Sequence, residues 1–149
     1  MTTSHRFYPS GTPRFNHVAL SLPAEQLSPS GRAELCRFFG EVLGFDELPT
    51  MTVDGRRLVL SCVHWDQFLF LVGEDDPMRC PPLDHFGFAL GTLDELDAAH
   101  RRALEFAADD GRLQVEGIDV DDQGPVKIHS VYLGYVLPMR IELQWWEFT

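Results

Sequence analysis

Two stretches of the sequence, FNHVAL at residues 15–20 and LDHFGFAL at residues 83–90, decide how the chain is interpreted. Each places one histidine, His17 or His85, at the third position of an apolar run that is typical of a β-strand. Histidine is a poor filler for the core of a strand, so its repetition in the same local setting needs an explanation. Either both histidines are incidental, or the chain contains two copies of one unit and the histidines meet.

The segments that follow the two stretches recur in the same order. Apolar residues at helical spacing predict one helix that ends at Gly44 and another that is capped by Thr92, with Glu95 completing a capping box. Short apolar runs bounded by turn residues predict eight strands, over residues 14–22, 46–52, 57–63, 67–72, 83–90, 113–120, 126–135 and 138–148. The order β-α-β-β-β therefore occurs twice, and this duplication organises the chain more strongly than any single motif.

The duplication predicts an α+β protein made of two tandem βαβββ modules. We expect an irregular N-terminal lead-in over residues 1–13, modules over residues 14–73 and 83–149, and a polar linker over residues 74–82. A chain of 149 residues is long enough for both modules to share one globular domain.

The charge and composition of the chain argue against several classes of function. A formal net charge of -11 disfavours nucleic acid as a partner, because phosphate binding requires clustered lysine and arginine. No stretch approaches the ~18 apolar residues of a membrane span, and the N-terminus lacks the apolar core of a secretory signal. The three cysteines form no CxxC pair, which favours reduced thiols. We therefore predict a cytoplasmic protein with no membrane or nucleic-acid partner.

Strand alternation predicts what surrounds the two histidines. His17 and His85 each share a face with small residues further along the strand, Ala19 and Ser21 in the first copy and Gly87 and Ala89 in the second. Phe15 and Leu83 share these faces ahead of the histidines, whereas the large residues Val18, Leu20, Phe86 and Phe88 are expected to point the other way, under the helices. This arrangement is what a concave sheet holding a pocket requires.

The last predicted strand places a carboxylate in a comparable setting. Glu142 shares a face with Arg140, Gln144 and Trp146. A carboxylate in the middle of a strand is costly to bury unless it is paired, hydrogen-bonded or bound to a metal. An ion pair with Arg140 or another arginine is the alternative to a metal. The corresponding position in the first copy is Phe70, so the duplication supplies two histidines and one carboxylate.

In these features the sequence resembles the vicinal oxygen chelate superfamily, which includes glyoxalase I, bleomycin and fosfomycin resistance proteins, and extradiol dioxygenases. The segments FNHVALSLP, RFFGEVLGF, LDHFGFAL and RIELQ carry the resemblance, which extends from about residue 14 to residue 148. It implies that the two modules form a cupped eight-stranded mixed sheet with flanking helices around a divalent metal. It also implies that the first strand of each module and the last strand of one or both modules supply the ligands.

Carried over to this chain, the resemblance implies that His17, His85 and Glu142 bind the metal. Phe70 departs from the four-ligand pattern of glyoxalase I. Two imidazoles and one carboxylate with open positions suit Fe(II) and O2 chemistry, so Fe(II) is the preferred metal, and Mn(II) is possible. The expected reaction is extradiol-type ring cleavage of a catechol-like aromatic substrate by O2.

The stretch KIHSVYLGYVLPMRIE, at residues 127–142, resembles the His, Tyr, Pro, Glu order of extradiol enzymes, with compressed spacing. It implies catalytic roles for His129 and Tyr132, and an aromatic substrate pocket lined by Phe70, Tyr135, Trp145 and Trp146. The alternative is that His129 and Tyr132 are ordinary strand residues, and that the two tryptophans belong to the core or to a subunit interface.

Two other functions remain open on the sequence alone. One is a different metal-dependent reaction in the same cup, such as an isomerisation, epimerisation or thiol transfer. The other is a metal-free protein that binds a small molecule, although such a protein has no reason to keep all three proposed ligands. We predict a homodimer, with the cup formed either within one chain or by exchange between subunits.

Overall fold

The computed structural model describes Gly11, residues 13–62, His64 and residues 66–149. Most of the predicted lead-in, and residue 63 at the end of the third predicted strand, therefore lie outside the described residues. The elements are β1 (His17–Pro23), α1 (Pro29–Phe38), β2 (Asp46–Glu47), β3 (Arg57–Ser61), β4 (Phe68–Glu74), β5 (His85–Ala89), α2 (Leu93–Asp109), β6 (Gln114–Asp122), β7 (Val126–Gly134) and β8 (Arg140–Phe148).

The strand order confirms the α+β fold of two tandem βαβββ modules. The first sheet has the order β1-β4-β3-β2 and the second has the equivalent order β5-β8-β7-β6. In each sheet the first strand of the module runs parallel to the last, and the other neighbours are antiparallel. No ladder joins the two sheets within the described ranges, so the eight strands form two four-stranded sheets instead of one continuous sheet.

The helices begin and end at the residues that local chemistry favours. The Thr92 hydroxyl accepts a hydrogen bond from the Glu95 N–H, and the Glu95 carboxylate reaches back to the Thr92 N–H, which confirms the predicted capping box of α2. Ser28 caps α1, and one π-helical turn (Phe39–Leu43) follows before Gly44 ends the helix with a left-handed φ of 72°.

The second strand is much shorter than the prediction of residues 46–52. It contains only Asp46–Glu47, after which Pro49 interrupts the strand because proline has no N–H to donate to a ladder. The chain turns there, and the Met51 N–H donates to the Leu48 carbonyl at 3.0 Å.

Both modules contribute to one hydrophobic core, which lies against the helices. Phe38 of α1 is fully buried, and its ring contacts the rings of Phe106 in α2 and Tyr135 after β7 at centroid distances of 5.5 and 4.5 Å. The opposite faces of the two sheets, which carry His17 and His85, are turned away from this core. No helix in the described part of the chain is long and apolar enough to cross a membrane.

Candidate metal site

The register of the two sheets brings the predicted ligand positions into equivalent places. In the first sheet His17 pairs with Phe68 and Ala19 pairs with Phe70. In the second sheet His85 pairs with Arg140 and Gly87 pairs with Glu142. Phe70 is therefore the structural counterpart of Glu142, as the sequence comparison of the two copies predicts.

His85 and Glu142 lie side by side on the face of the second sheet that is turned away from the core. The His85 Nε2 atom is 3.2 Å from Glu142 Oε2. Glu142 is 6% exposed, whereas the His85 side chain is 38% exposed. Gly87 leaves room beside them: a methyl group at this glycine would come within 3.6 Å of Glu142 Oε2.

The hydrogen bonds of His85 determine which ring nitrogen carries a proton. Its Nδ1 atom is 2.8 Å from the carbonyl oxygen of Leu83, which only accepts, so Nδ1–H must be the donor. In the neutral ring, Nε2 then presents a lone pair to the carboxylate of Glu142. Two acceptors at this distance repel each other unless a second proton or a metal cation lies between them.

Neighbouring polar side chains keep Glu142 charged. Burial by itself would raise the pKa of Glu142, but hydrogen bonds from Tyr132, Gln144 and Ser130, together with the charge effect of His85, outweigh burial and lower the pKa below its ordinary value. The carboxylate is therefore available as an anionic ligand. Glu142 does not form the alternative ion pair with Arg140. Arg140 pairs with Glu116 instead, with 3.1 Å between Nη1 and Oε2.

Tyr132 lies on the same face as the His85–Glu142 pair. It is opposite Glu142 in the ladder of β7 and β8, and its ring meets the His85 ring edge-on at a centroid distance of 5.5 Å. The hydrogen bond to the Glu142 carboxylate and partial burial raise the pKa of Tyr132, so its hydroxyl stays protonated. Tyr132 therefore presents a protonated hydroxyl beside the His85–Glu142 pair.

His17 is arranged like His85 but lies apart from the pair. Its Nδ1 atom is 2.7 Å from Asn16 Oδ1, which leaves Nε2 free, and its ring stacks on Phe68 with 4.9 Å between centroids. No group of three or more His, Cys, Asp or Glu that could hold a metal occurs among the residues that the structure describes. Within one chain, therefore, His17 does not complete a site with His85 and Glu142.

The donor types nevertheless fit a divalent metal. Imidazole nitrogen and carboxylate oxygen are ligands of Fe(II), Mn(II) and Zn(II). Metal-binding histidines usually donate their second ring N–H to a carbonyl or carboxylate, which fixes the ring. His85 does so through Leu83, and His17 does the same through the Asn16 side chain.

His129 is on the other face of the second sheet. It pairs across the ladder with Trp145, and its Nε2 atom is 2.9 Å from the Glu147 carboxylate. Successive residues of a strand point to opposite faces, so an odd-numbered residue of β7 cannot share the face of Tyr132. The interpretation of His129 as a base beside the metal ligands is therefore corrected: its partners are Glu147 and Trp145.

The four residues expected to line the substrate pocket are divided between the two sides of the sheets. Phe70 and Trp146 lie on the faces that carry His17 and His85, respectively. Trp145 packs against the core on the opposite face. Tyr135 is also a core residue: it is 6% exposed, and its hydroxyl donates to Asp110 at 2.8 Å. Trp145 and Tyr135 therefore pack with the core and do not lie on the face that carries His85 and Glu142.

A separate cavity of about 510 Å³ lies between β1 and β5. It is mainly apolar, and its lining includes His17, Cys62 and Arg102, whereas His85 and Glu142 do not contribute. Burial raises the pKa of the Cys62 thiol to about 11, so this cysteine stays protonated and behaves as an apolar wall residue.

The sequence interpretation missed Ser130 and Gln144 as hydrogen-bond donors to Glu142, and Arg140 as a partner of Tyr132. These neighbours could have been found from strand alternation, because residues directly opposite each other in an antiparallel pair point to the same face. Once Tyr132 is paired with Glu142, Ser130 must lie beside Gln144.

The fold is similar to those of several solved bacterial proteins. Lactoylglutathione lyase from Agrobacterium tumefaciens matches with a TM-score of 0.60 and 16% identity, over 91% of this chain and 96% of that chain. The fosfomycin resistance protein FosX from Listeria monocytogenes matches with a TM-score of 0.59 and 12% identity, over 93% and 94%. A virulence protein from Salmonella typhimurium matches with a TM-score of 0.56 and 19% identity, over 90% and 97%.

The chain therefore has a tandem βαβββ fold similar to the folds of these proteins, and this is the fold that its sequence predicts. No family model and no curated protein matches the sequence. One fold of this kind supports several activities, so the reaction and the substrate depend on the residues of the site.

Proposed function

We propose that this protein is a divalent-metal-dependent enzyme that acts on a small molecule with two adjacent oxygen atoms. The observation that supports this most strongly is the His85–Glu142 pair. The His85 Nδ1–H is committed to the Leu83 carbonyl, so Nε2 faces a carboxylate oxygen 3.2 Å away. A divalent cation bound by both atoms would replace the repulsion between two acceptors with two favourable contacts.

Under this proposal the third ligand is His17, supplied by a second copy of the chain. A homodimer that brings the first module of one copy against the second module of its partner would place His17 beside His85 and Glu142. Large apolar side chains two positions before each histidine support such contact, because Phe15 is 77% exposed and Leu83 is 76% exposed.

The metal, when bound, would supply Lewis-acid polarisation of the two substrate oxygens. The chain's own residues would orient the substrate. Tyr132 would donate a hydrogen bond from its protonated hydroxyl, and Phe70 and Trp146 would provide apolar walls. Gly87, which has no side chain, lies directly beside the carboxylate, and the substrate would pass over it.

The preferred reaction within this proposal is Fe(II)-dependent, extradiol-type cleavage of a catechol by O2. Tyr132 supports this choice through its position beside His85. The displacement of His129 to the opposite face removes one of the two catalytic groups expected for it, so an Mn(II)-dependent isomerisation, epimerisation or thiol transfer is the second candidate. A cytoplasmic location remains part of the proposal.

Anaerobic titration with Fe(II) and with Mn(II), followed by O2-uptake assays with a panel of catechols, tests the proposal. We expect the wild type to bind metal, and His85→Ala to bind it about 100-fold more weakly, because one ligand is lost. His100→Ala, which changes a histidine on α2, is the matched control and should bind like the wild type. Metal binding without O2 uptake would favour the second candidate. An unchanged affinity in His85→Ala would contradict the metal site and leave an imidazolium–carboxylate ion pair.

A further inference from the structure

We infer that Arg140 binds an anionic group of the substrate, so that the substrate is a carboxylic acid whose carboxylate lies close to its two metal-binding oxygens. This inference rests on the proposed function for the position of those oxygens. Its basis is the placement, partners and charge of the Arg140 side chain.

Arg140 is placed directly beside the proposed ligands. It is opposite His85 in the parallel ladder of β5 and β8, and it lies two residues before Glu142 on the same strand. Neighbouring strands are about 4.8 Å apart, so the guanidinium is within reach of any molecule that contacts both ligands. Phe68 occupies the equivalent position in the first module, where it stacks on His17. The charge is therefore specific to the second module.

The contacts of Arg140 leave part of its guanidinium without an acceptor. Its Cζ atom lies 4.8 Å from the centroid of the Tyr132 ring, and Nη1 donates to Glu116 Oε2 at 3.1 Å. The Nε atom is buried and has no hydrogen-bond partner in the described part of the protein. Native proteins leave few buried donors unpaired, and the Arg140 side chain as a whole keeps 25% of its surface exposed, where a ligand can supply an acceptor to the guanidinium.

The ion pair between Arg140 and Glu116 is also weak. The Glu116 side chain is 63% exposed, and exposed ion pairs contribute little because water and salt screen them. A substrate carboxylate can share or replace this contact and accept two parallel hydrogen bonds from the planar guanidinium. The Tyr132 ring supports the guanidinium from one side while this occurs.

An anion that binds to this acidic face would find its positive charge at Arg140. The strands present Glu116, Asp119, Asp121 and Glu142 on the same side, and Arg140 is the one lysine or arginine that the described strand residues of this face provide. In a chain with a net charge of -11, an acidic substrate needs such a local cation to bind.

A pair of probes that differ by one carboxylate tests the inference. Catechol and 2,3-dihydroxybenzoate both offer two adjacent oxygens, and the second carries a carboxylate next to them; calorimetric titration measures their affinities with and without Mn(II), under anaerobic conditions. We expect the wild type to prefer the acid about tenfold, and Arg140→Gln to lose most of this preference. Arg101→Gln, which removes a charge from an exposed position on α2, is the matched control and should keep it.

A second variant keeps the test decisive if Arg140→Gln folds poorly. Glu116→Gln removes the competing carboxylate and should increase the preference for the acid. An equal preference in the wild type and Arg140→Gln, or no change in Glu116→Gln, would overturn the inference. Failure of the proposed function would give a different result. Mn(II) would then not change the affinity for catechol, whereas the titrations would still show whether Arg140→Gln weakens binding of the acid.

Discussion

The hydrogen bonds of the Asp110 carboxylate make the stability of the fold depend on pH. Its carboxylate accepts hydrogen bonds from the Arg112 side chain at 2.6 and 2.9 Å and from the Tyr135 hydroxyl at 2.8 Å. The Arg112 hydrogen bonds are the largest influence on the Asp110 pKa, and they lower it well below its usual range although burial opposes them. Burial, with the hydrogen bond to Asp110, raises the pKa of Tyr135 to about 12.

We expect Asp110→Asn to lower the free energy of unfolding at pH 7 by about 1–3 kcal/mol, because charge-assisted hydrogen bonds are lost. The folded-state pKa of Asp110 is depressed, so its contribution is complete above the unfolded value of about 4 and declines as the pH falls below it. Urea unfolding at pH 7 and pH 3 should therefore show a smaller difference between variant and wild type at pH 3. The neighbouring change Asp109→Asn controls for loss of charge at an exposed position. A difference that does not depend on pH would contradict the prediction.

Residue-scale predictions from the sequence succeeded where strand alternation alone was sufficient. The alternation placed Glu142 on one face with Arg140 and Gln144, and the register confirms that Phe70 is the counterpart of Glu142. The prediction for His129 was wrong because the sequence motif suggested a role without a check of strand parity. Alternation within β7 separates His129 from Tyr132, but only the pairing of Tyr132 with Glu142, a contact between different strands, shows which face carries the carboxylate.

At the scale of single elements, α2 depends on a hydrogen-bonding arrangement that the sequence predicted fully. Thr92→Ala removes the hydroxyl that accepts from Glu95 N at 3.2 Å. We expect it to lower the free energy of unfolding by about 1 kcal/mol, with a melting temperature about 2–4 °C lower. Thr92→Ser keeps the hydroxyl and should remain within about 0.5 kcal/mol of the wild type. Thermal and urea unfolding of both variants measure these changes. Equal losses of stability in Thr92→Ala and Thr92→Ser would show that the missing hydroxyl cap is not what destabilises the variant.

Element lengths were less accessible from the sequence than element types. The second strand ends at Glu47 instead of residue 52, because Pro49 interrupts the ladder and the chain turns through Leu48 and Met51. The first helix adds a π-helical turn before Gly44. Such bounds depend on competition between alternative hydrogen bonds, and neighbouring elements decide that competition.

At the scale of the whole molecule, the central question is whether the metal ligands meet within a chain or between chains. We predict that they meet between the first module of one copy and the second module of its partner. Mixing His17→Ala with His85→Ala, after partial unfolding and reassembly, should then restore about half of the wild-type metal sites per mixed dimer. In such a dimer one site has lost both histidines and the other has all three ligands.

Each variant alone should bind metal weakly, so the recovery on mixing is the measurement. A matched mixture of His85→Ala with Glu142→Gln changes the same module in both chains and should recover nothing. If the His17→Ala and His85→Ala mixture also recovers nothing, while the wild type binds metal after the same treatment, the ligands meet within one chain. We expect light scattering of the wild type to give the mass of a dimer.

The sequence by itself determined the two-module fold, the types of the secondary-structure elements, the helix cap at Thr92 and the faces of His17, His85 and Glu142. These features depend on alternation, helical spacing and hydrogen bonds between near neighbours, all of which are encoded within a few residues. Only the tertiary structure decided that the strands form two separate sheets, that Tyr132 and Arg140 flank the His85–Glu142 pair, and that His129 and Tyr135 lie elsewhere. These outcomes depend on register and on packing between distant segments, and no local pattern specifies such long-range contacts.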